Sequence, residues 1–350
     1  MREFLSSIGL PEIIAGIIVL ALNAYVLMGG ADFGGGLWDL VAAGPRRQAQ
    51  RALISESIAP IWEANHVWLI VDVVVLFTAF PLAFSTLGIV LHIPLTLMLL
   101  GIVARGSAFV FRSYGSRTKT HERRWGVAFA VASTVTPVLL GIVVGAVSSG
   151  AVGEATQCIG SGSFTEIFVW PWLGAYEIVV GLLALALFAF LAAVYLAVAA
   201  KDVALREDFR KRGLGAAIAV FILAGIALLL ASSSAPRVAQ GVTASSWALV
   251  LHILTAIAAI TAIVALWRRE YRAARIAAAA QVSLILWGWA FAQYPFVIPP
   301  TLSINAAAAP RETLVLLLVG LAVGAAVLIP SLRYLFRTFT TADESARAQH

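Results

Sequence analysis

The segment from Ser57 to Pro81, "SIAPIWEANHVWLIVDVVVLFTAFP", is apolar enough to cross a membrane, yet it carries Glu63, His66 and Asp72. Ionisable groups at bilayer depth are costly, so a function is the default suspicion. A carboxyl suits proton exchange there, because burial and neighbouring charge tune its hold on a proton. Arg105 is the one Lys or Arg well inside an apolar run, and it requires a carboxylate or carbonyl partner. Glu63 or Asp32 would serve. Asp32 and Asp39 are seven residues apart, as are Glu56 and Glu63, so each pair shares a helix face. These acids and Arg105 fall at the same end of their helices. Two readings stay open on residue types alone: a hydrated pocket around a proton-exchanging carboxylate, or a static ion pair pinning three helices. Asp72 lies on the opposite helical face from Glu63, deeper in the membrane, and has no assigned role.

Other chemistries fit less well. Glu63-x-x-His66 has the spacing of ferritin-like di-iron sites, but those require two such pairs and two further Glu residues, and the chain has one pair. His92 and His252 could ligate haem iron in principle. A lone His on an apolar helix more often bonds a neighbour, so no haem is assigned to this chain. The single Cys, Cys158, excludes an internal disulfide framework and any all-thiolate metal site. Nucleotide loops and hydrolase or metalloprotease signatures are missing from the sequence. "GGADFGGG" (Gly29 to Gly36) follows an apolar run and lacks a Lys. Its glycines allow close helix packing, or a local unwinding around Asp32.

The elements that must position these residues are membrane helices. Charged residues make up 12% of the 350, half the share of a soluble domain, and mean hydropathy is +0.94. The expectation is an all-α polytopic membrane protein. Windows of about 20 apolar residues give nine spans, roughly 11–41, 57–80, 84–111, 125–149, 169–199, 209–233, 245–267, 274–297 and 312–337. The connections near 45–51, 112–124, 201–212 and 268–275 and the tail hold all but four of the 24 Lys and Arg, the others being Arg2, Arg105, Arg237 and Arg311. The positive-inside rule makes that side cytoplasmic, with the N-terminus outside and the C-terminus inside. The net charge of +6 is thus a topology signal, and nucleic acid is not an expected partner.

The first and fifth spans echo each other: "EIIAGIIVLALNA" (Glu12 to Ala24) and "EIVVGLLALALFA" (Glu177 to Ala189) agree at seven of thirteen positions. A parallel repeat would divide a single transmembrane domain, 1–337, into halves of about 8–149 and 169–297 plus a ninth helix at about 312–337, with 338–350 as a tail.

Four segments carry a resemblance to subunit II of the cytochrome bd-type quinol oxidases. They are "GGADFGGG", "SIAPIWEANHVWLI" followed by "LFTAFP", "IVARGSAFVFR", and "GWAFAQYPFVIPP" at Gly288 to Pro300. The resemblance implies a haem-free subunit paired with a subunit I that carries haem b and haem d and oxidises quinol. Small single-helix accessory subunits occur in some members. It also implies a bacterial or archaeal cytoplasmic membrane, and a proton route from the cytoplasm that includes a Trp followed by an acid, here Trp62 and Glu63. His66, Asp32 and Arg105 complete the expected path. The sequence departs from the family pattern at Gly29, Glu63, His66 and Val110, where members commonly carry Asp or another acid, and at Asp72, where Gly is common. A stand-alone proton-coupled secondary transporter is the rival expectation; it predicts a discontinuous helix pair near the bilayer centre.

Overall fold

A computed structural model describes residues 9–58, 62–114 and 119–347; side chains at 62–63, 112–123, 329, 332–333 and 335–347 are not among those described. In chain order the elements are α1 (Leu10–Leu40), α2 (Arg47–Ile58), α3 (Trp62–Ala79), α4 (Pro81–Val90), α5 (His92–Tyr114), α6 (Lys119–Ser149), α7 (Ala151–Gln157) and α8 (Phe164–Phe168). After a 3₁₀ turn (Trp170–Trp172) come α9 (Ala175–Ala199), α10 (Val203–Ser234), α11 (Pro236–Ala244), α12 (Ala248–Trp267) and α13 (Tyr271–Gln293). A short hairpin of β1 (Phe296–Ile298) and β2 (Leu302–Ser303), then α14 (Ile304–Ala307) and α15 (Arg311–Arg347), complete the chain.

Among the described residues, eight helices are long and apolar enough to span a membrane, nine if the bent pair of α3 and α4 is one span. That pair turns by 114° at Phe80. Pro81 has no N–H to continue α3's ladder and is well placed in the first turn of α4. The third predicted span, roughly 84–111, is accordingly divided: α4 belongs to the bend, and α5 begins at His92. The freed carbonyl of Ala79 accepts from the Ala309 N–H at 2.8 Å, so the break is capped by the segment before α15. α13 ends at Gln293, two residues before Pro295 and short of the predicted 297, as the restriction on the residue before a proline requires.

α9 is the central helix. Phe188 and every residue from Phe190 to Val194 are buried, as befits an element apolar on all sides. It packs against α1, α6 and α10. Gly141 and Gly181 make the α6–α9 crossing tight: a Cβ added at 141 would lie 2.7 Å from the Gly181 Cα. The outward surfaces of α10, α12 and α15 present apolar side chains such as Phe221, Leu249 and Leu316. A water-facing surface would be charged, so this one is built to meet hydrocarbon or protein.

The echoed helices α1 and α9 pack on one another. Glu12 and Glu177 each sit three residues after an N-cap glycine, Gly9 and Gly174. Glu12 accepts from the Gly9 N–H at 2.9 Å and from Asn305 at 2.7 Å. An acid in the first turn complements the helix dipole, which gives both glutamates a local reason to be there.

Candidate functional site

α1 runs unbroken through Gly29–Gly36, so the glycines serve packing and not unwinding. All of them are buried. A Cβ at Gly34 would land on the Phe188 carbonyl oxygen, one at Gly35 would meet Ile58 at 2.8 Å, and one at Gly36 would strike Ser133. The run therefore lets α9, α2 and α6 close on three sides of one turn of α1. That closeness brings polar side chains from separate helices together around Asp32.

Asp32 and Asn65 are wholly buried, and Arg105 is 2% exposed. The Arg105 guanidinium of α5 forms an ion pair with the Asp32 carboxylate and also donates to the Asp32 carbonyl at 3.3 Å. Its Nε donates to Ser133 Oγ of α6 at 2.9 Å. The cation lies between two ring faces, Phe33 at 4.7 Å and Phe129 at 5.1 Å. Asn65 Nδ2 of α3 donates to the other Asp32 oxygen at 3.3 Å. Four helices thus meet in one polar knot, with the buried charges paired as burial demands. Ser133 sits at a loosened point of α6, since Pro137 supplies no N–H to its carbonyl.

Nearer the basic loops, Arg51 of α2 approaches the Asp39 carboxylate at 3.5 Å and its carbonyl at 3.2 Å. Arg46 pairs with Asp208 through two bonds of 2.8 and 2.6 Å. Gln50 donates to the same carboxylate at 2.9 Å and accepts from Arg212 at 2.8 Å. Arg212 stacks over Trp38 and Phe209, and Trp38 Nε1 donates to the Ala189 carbonyl at 2.8 Å. These bonds tie the loop after α1 to the start of α10.

Of the sequence-predicted site residues, Asp32 and Arg105 are brought together, and Asp32 is the carboxylate that answers Arg105. His66 is half-buried on α3, next to Asn65. The backbone at Trp62 and Glu63 opens α3, but their side chains lie outside the described residues. Asn65, Ser133 and Tyr25 were missed by reasoning from charge. Tyr25 is buried and close enough to Asp32, Arg105 and Asp72 to feel the charge of each. The signal for Asn65 was present in "EANH", where an uncharged amide sits between the two ionisable groups. His92 and His252 each bond a carbonyl of the preceding turn, Ile89 at 2.9 Å and Ala248 at 2.7 Å. Among the described residues no three His, Cys, Asp or Glu side chains cluster as a metal site would require.

The fold is similar to the solved structure of bd oxidase from Geobacillus thermodenitrificans, with a TM-score of 0.71 and 21% identity, covering 94% of this chain and 98% of that one. The chain is 28% identical over 127 residues to the cytochrome bd ubiquinol oxidase subunit 2 of Bacillus subtilis, covering 36% of this chain. It is 25% identical over 154 residues to the cytochrome bd-I ubiquinol oxidase subunit 2 of Escherichia coli K12, covering 43% of this chain. Those matches span 37% and 40% of the two curated relatives, well under half of each. The family model described as cytochrome bd terminal oxidase subunit II matches residues 10–339. With nearly the entire chain inside that match, the protein belongs to the cytochrome bd terminal oxidase subunit II family.

Proposed function

We propose that this chain is the haem-free partner of a haem-bearing subunit I in a complex that oxidises quinol and reduces oxygen to water, in a bacterial or archaeal cytoplasmic membrane. Haems b and d are assigned to the partner subunit, where they would carry the electron transfer. The basic-loop end is taken as cytoplasmic, because short basic loops stay on that side. The polar knot holds α1, α3, α5 and α6 in register so that the outer faces of the bundle can receive subunit I. Small single-helix subunits could cover parts of the remaining apolar surface.

The first turn of α3 is the proposed entrance of a proton-uptake path, with Glu63 as the exchanging acid and Trp62 and His66 beside it. One observation carries this reading. The Asn65–Asp32 bond fixes that turn against the knot, and position 63 shares its helical stripe with Ile70, Val74 and Phe77, all exposed in the single chain. An acid on that stripe would be available to a partner subunit, whereas Asp32 and Arg105 are buried and paired and are proposed to anchor the inner side of the path. The transporter alternative has no such support: its discontinuous pair exists at α3–α4, but the break is capped by Ala309.

The test is Glu63→Gln in the purified complex, with haem content verified optically. Quinol-driven oxygen consumption should fall by at least about tenfold, a modest share of the roughly hundredfold or more that a positioned proton-transfer group contributes. Turnover equal to wild type at full haem content would remove the proton entrance and leave a scaffold.

A further inference from the structure

α1 and α3 run antiparallel, touching through Asp32 and Asn65 near the basic loops and through Ile14, Val75 and Ala79 at the far end. Seven residues back from Asp32 along α1 is Tyr25, and seven forward from Asn65 along α3 is Asp72. Two helical turns, about 10.5 Å, separate the levels. Asp72 falls on the stripe of α3 that includes Asn65, Val75 and Ala79, all buried, and not on the exposed stripe of Ile70 and Phe77.

Both carboxyl oxygens of Asp72 are shielded from solvent and have no hydrogen-bond partner among the described residues. Asn65 shows the same deficit one level below. Its amide orientation is fixed, because Nδ2 must face the Asp32 acceptor, so Oδ1 points away, and that oxygen also lacks a partner. Three acceptor oxygens therefore line one interface with no donor assigned to them. An acceptor without a donor in an apolar interior is expensive, and buried water is the usual remedy. A partner subunit reaches these oxygens only by displacing the side chains that already cover them.

We propose that water bridges Asn65 Oδ1, Tyr25 and Asp72 between α1 and α3, and that Asp72 exchanges a proton along this file as a branch of the polar knot. A hydronium in the file gives its proton to the carboxylate, leaving water and a neutral acid, and the reverse step returns it. From α1, Tyr25 lies within electrostatic range of Asp72, and Asp32 of α1 with Arg105 of α5 lies on the other side of Tyr25. α4 carries no ionisable side chain, and α15 contributes Arg311 and Glu312 beside the far end of α3. The inference goes beyond the Glu63 entrance and does not depend on it.

The experiment is redox-difference infrared spectroscopy of the intact oxidase complex in H₂O and D₂O. The expected result is a carboxylic-acid C=O band that shifts in D₂O, disappears in Asp72→Asn and moves in Asp72→Glu, while persisting in Glu63→Gln. The glutamate variant keeps an acid at the position and guards against a failure of Asp72→Asn to assemble. A difference spectrum without a band that responds to either substitution overturns the inference, since an acid that keeps its protonation state contributes nothing to it. Loss of turnover in Glu63→Gln without an Asp72 band would leave the entrance standing and remove this branch. An Asp72 band with full turnover in Glu63→Gln would do the reverse.

Discussion

Replacing Arg105 by Leu removes the cation that four helices share. In the folded chain it pairs with the Asp32 carboxylate, donates to Ser133 at 2.9 Å and to the Asp32 carbonyl at 3.3 Å, and lies over two rings. Afterwards Asp32 keeps the Asn65 amide at 3.3 Å, an inadequate match for a wholly buried carboxylate. Breaking a buried pair from one side costs about 3–5 kcal/mol. Taking about 4, and about 1.4 kcal/mol per decade, the folding equilibrium shifts by roughly a thousandfold. The double variant Arg105→Leu with Asp32→Asn removes both charges and leaves two amides that can bond each other, so it should lose less than Arg105→Leu alone. The expected coupling is about 2–3 kcal/mol. Unfolding of the complex in mixed micelles, followed by tryptophan fluorescence for all four members of the cycle, measures it. If Arg105→Leu stays within about 0.5 kcal/mol of wild type, or if the single losses simply add, the knot is not the joint described here.

Gly34→Ala places a Cβ on the Phe188 carbonyl oxygen and 2.7 Å from the Ala192 Cβ, so α1 and α9 must separate. Overpacking of this kind costs about 1–3 kcal/mol and should lower the yield of assembled complex, read by size-exclusion chromatography. Arg269 has φ +64 at the end of α12, where its N–H bonds the Leu266 carbonyl at 3.2 Å and the Glu270 N–H bonds Ala265 at 2.8 Å. Glycine is the residue this helix ending favours, so Arg269→Gly should stabilise the complex by about 1 kcal/mol in the same unfolding assay. The ion pair it forfeits, 3.6 Å to Glu207 with Arg269 67% exposed, is worth little.

Hydropathy made the long spans legible, because α9 and α10 are apolar over more residues than a bilayer is thick. Arg105 was legible as a problem requiring an acid, and Asp32 proved to be that acid. What escaped was whatever lacks a hydropathy or charge signature. Asn65 and Ser133 are small uncharged groups among alanines and valines, and only the contact geometry reveals that they complete the knot. The windows did break at Pro81, between the spans of roughly 57–80 and 84–111. What escaped is that α4 pairs with α3 across a bend and that the next long helix starts only at His92, because no Asp, Glu, Lys or Arg lies between Pro81 and Arg105 to mark the junction. The echoed glutamates fall inside two predicted spans, yet Glu12 and Glu177 sit in first turns, where a carboxylate is favoured.

α3 also explains why one short segment carries so many polar groups without becoming a channel by itself. Its 3.6-residue period separates them onto opposite faces. Ile70, Val74 and Phe77 lie on the face the single chain leaves uncovered, the stripe to which helical periodicity assigns position 63, whereas Asn65 and the shielded oxygens of Asp72 lie on the face toward α1. A proton arriving at Glu63 would have to pass through a partner subunit or around the helix to reach Asp72. The two acids are therefore expected to behave as separate branches that share the Asn65–Asp32 contact at their base. Substituting either one should leave the other's signal intact, whereas disturbing Asp32 or Arg105, which hold α1 and α3 together, should alter both.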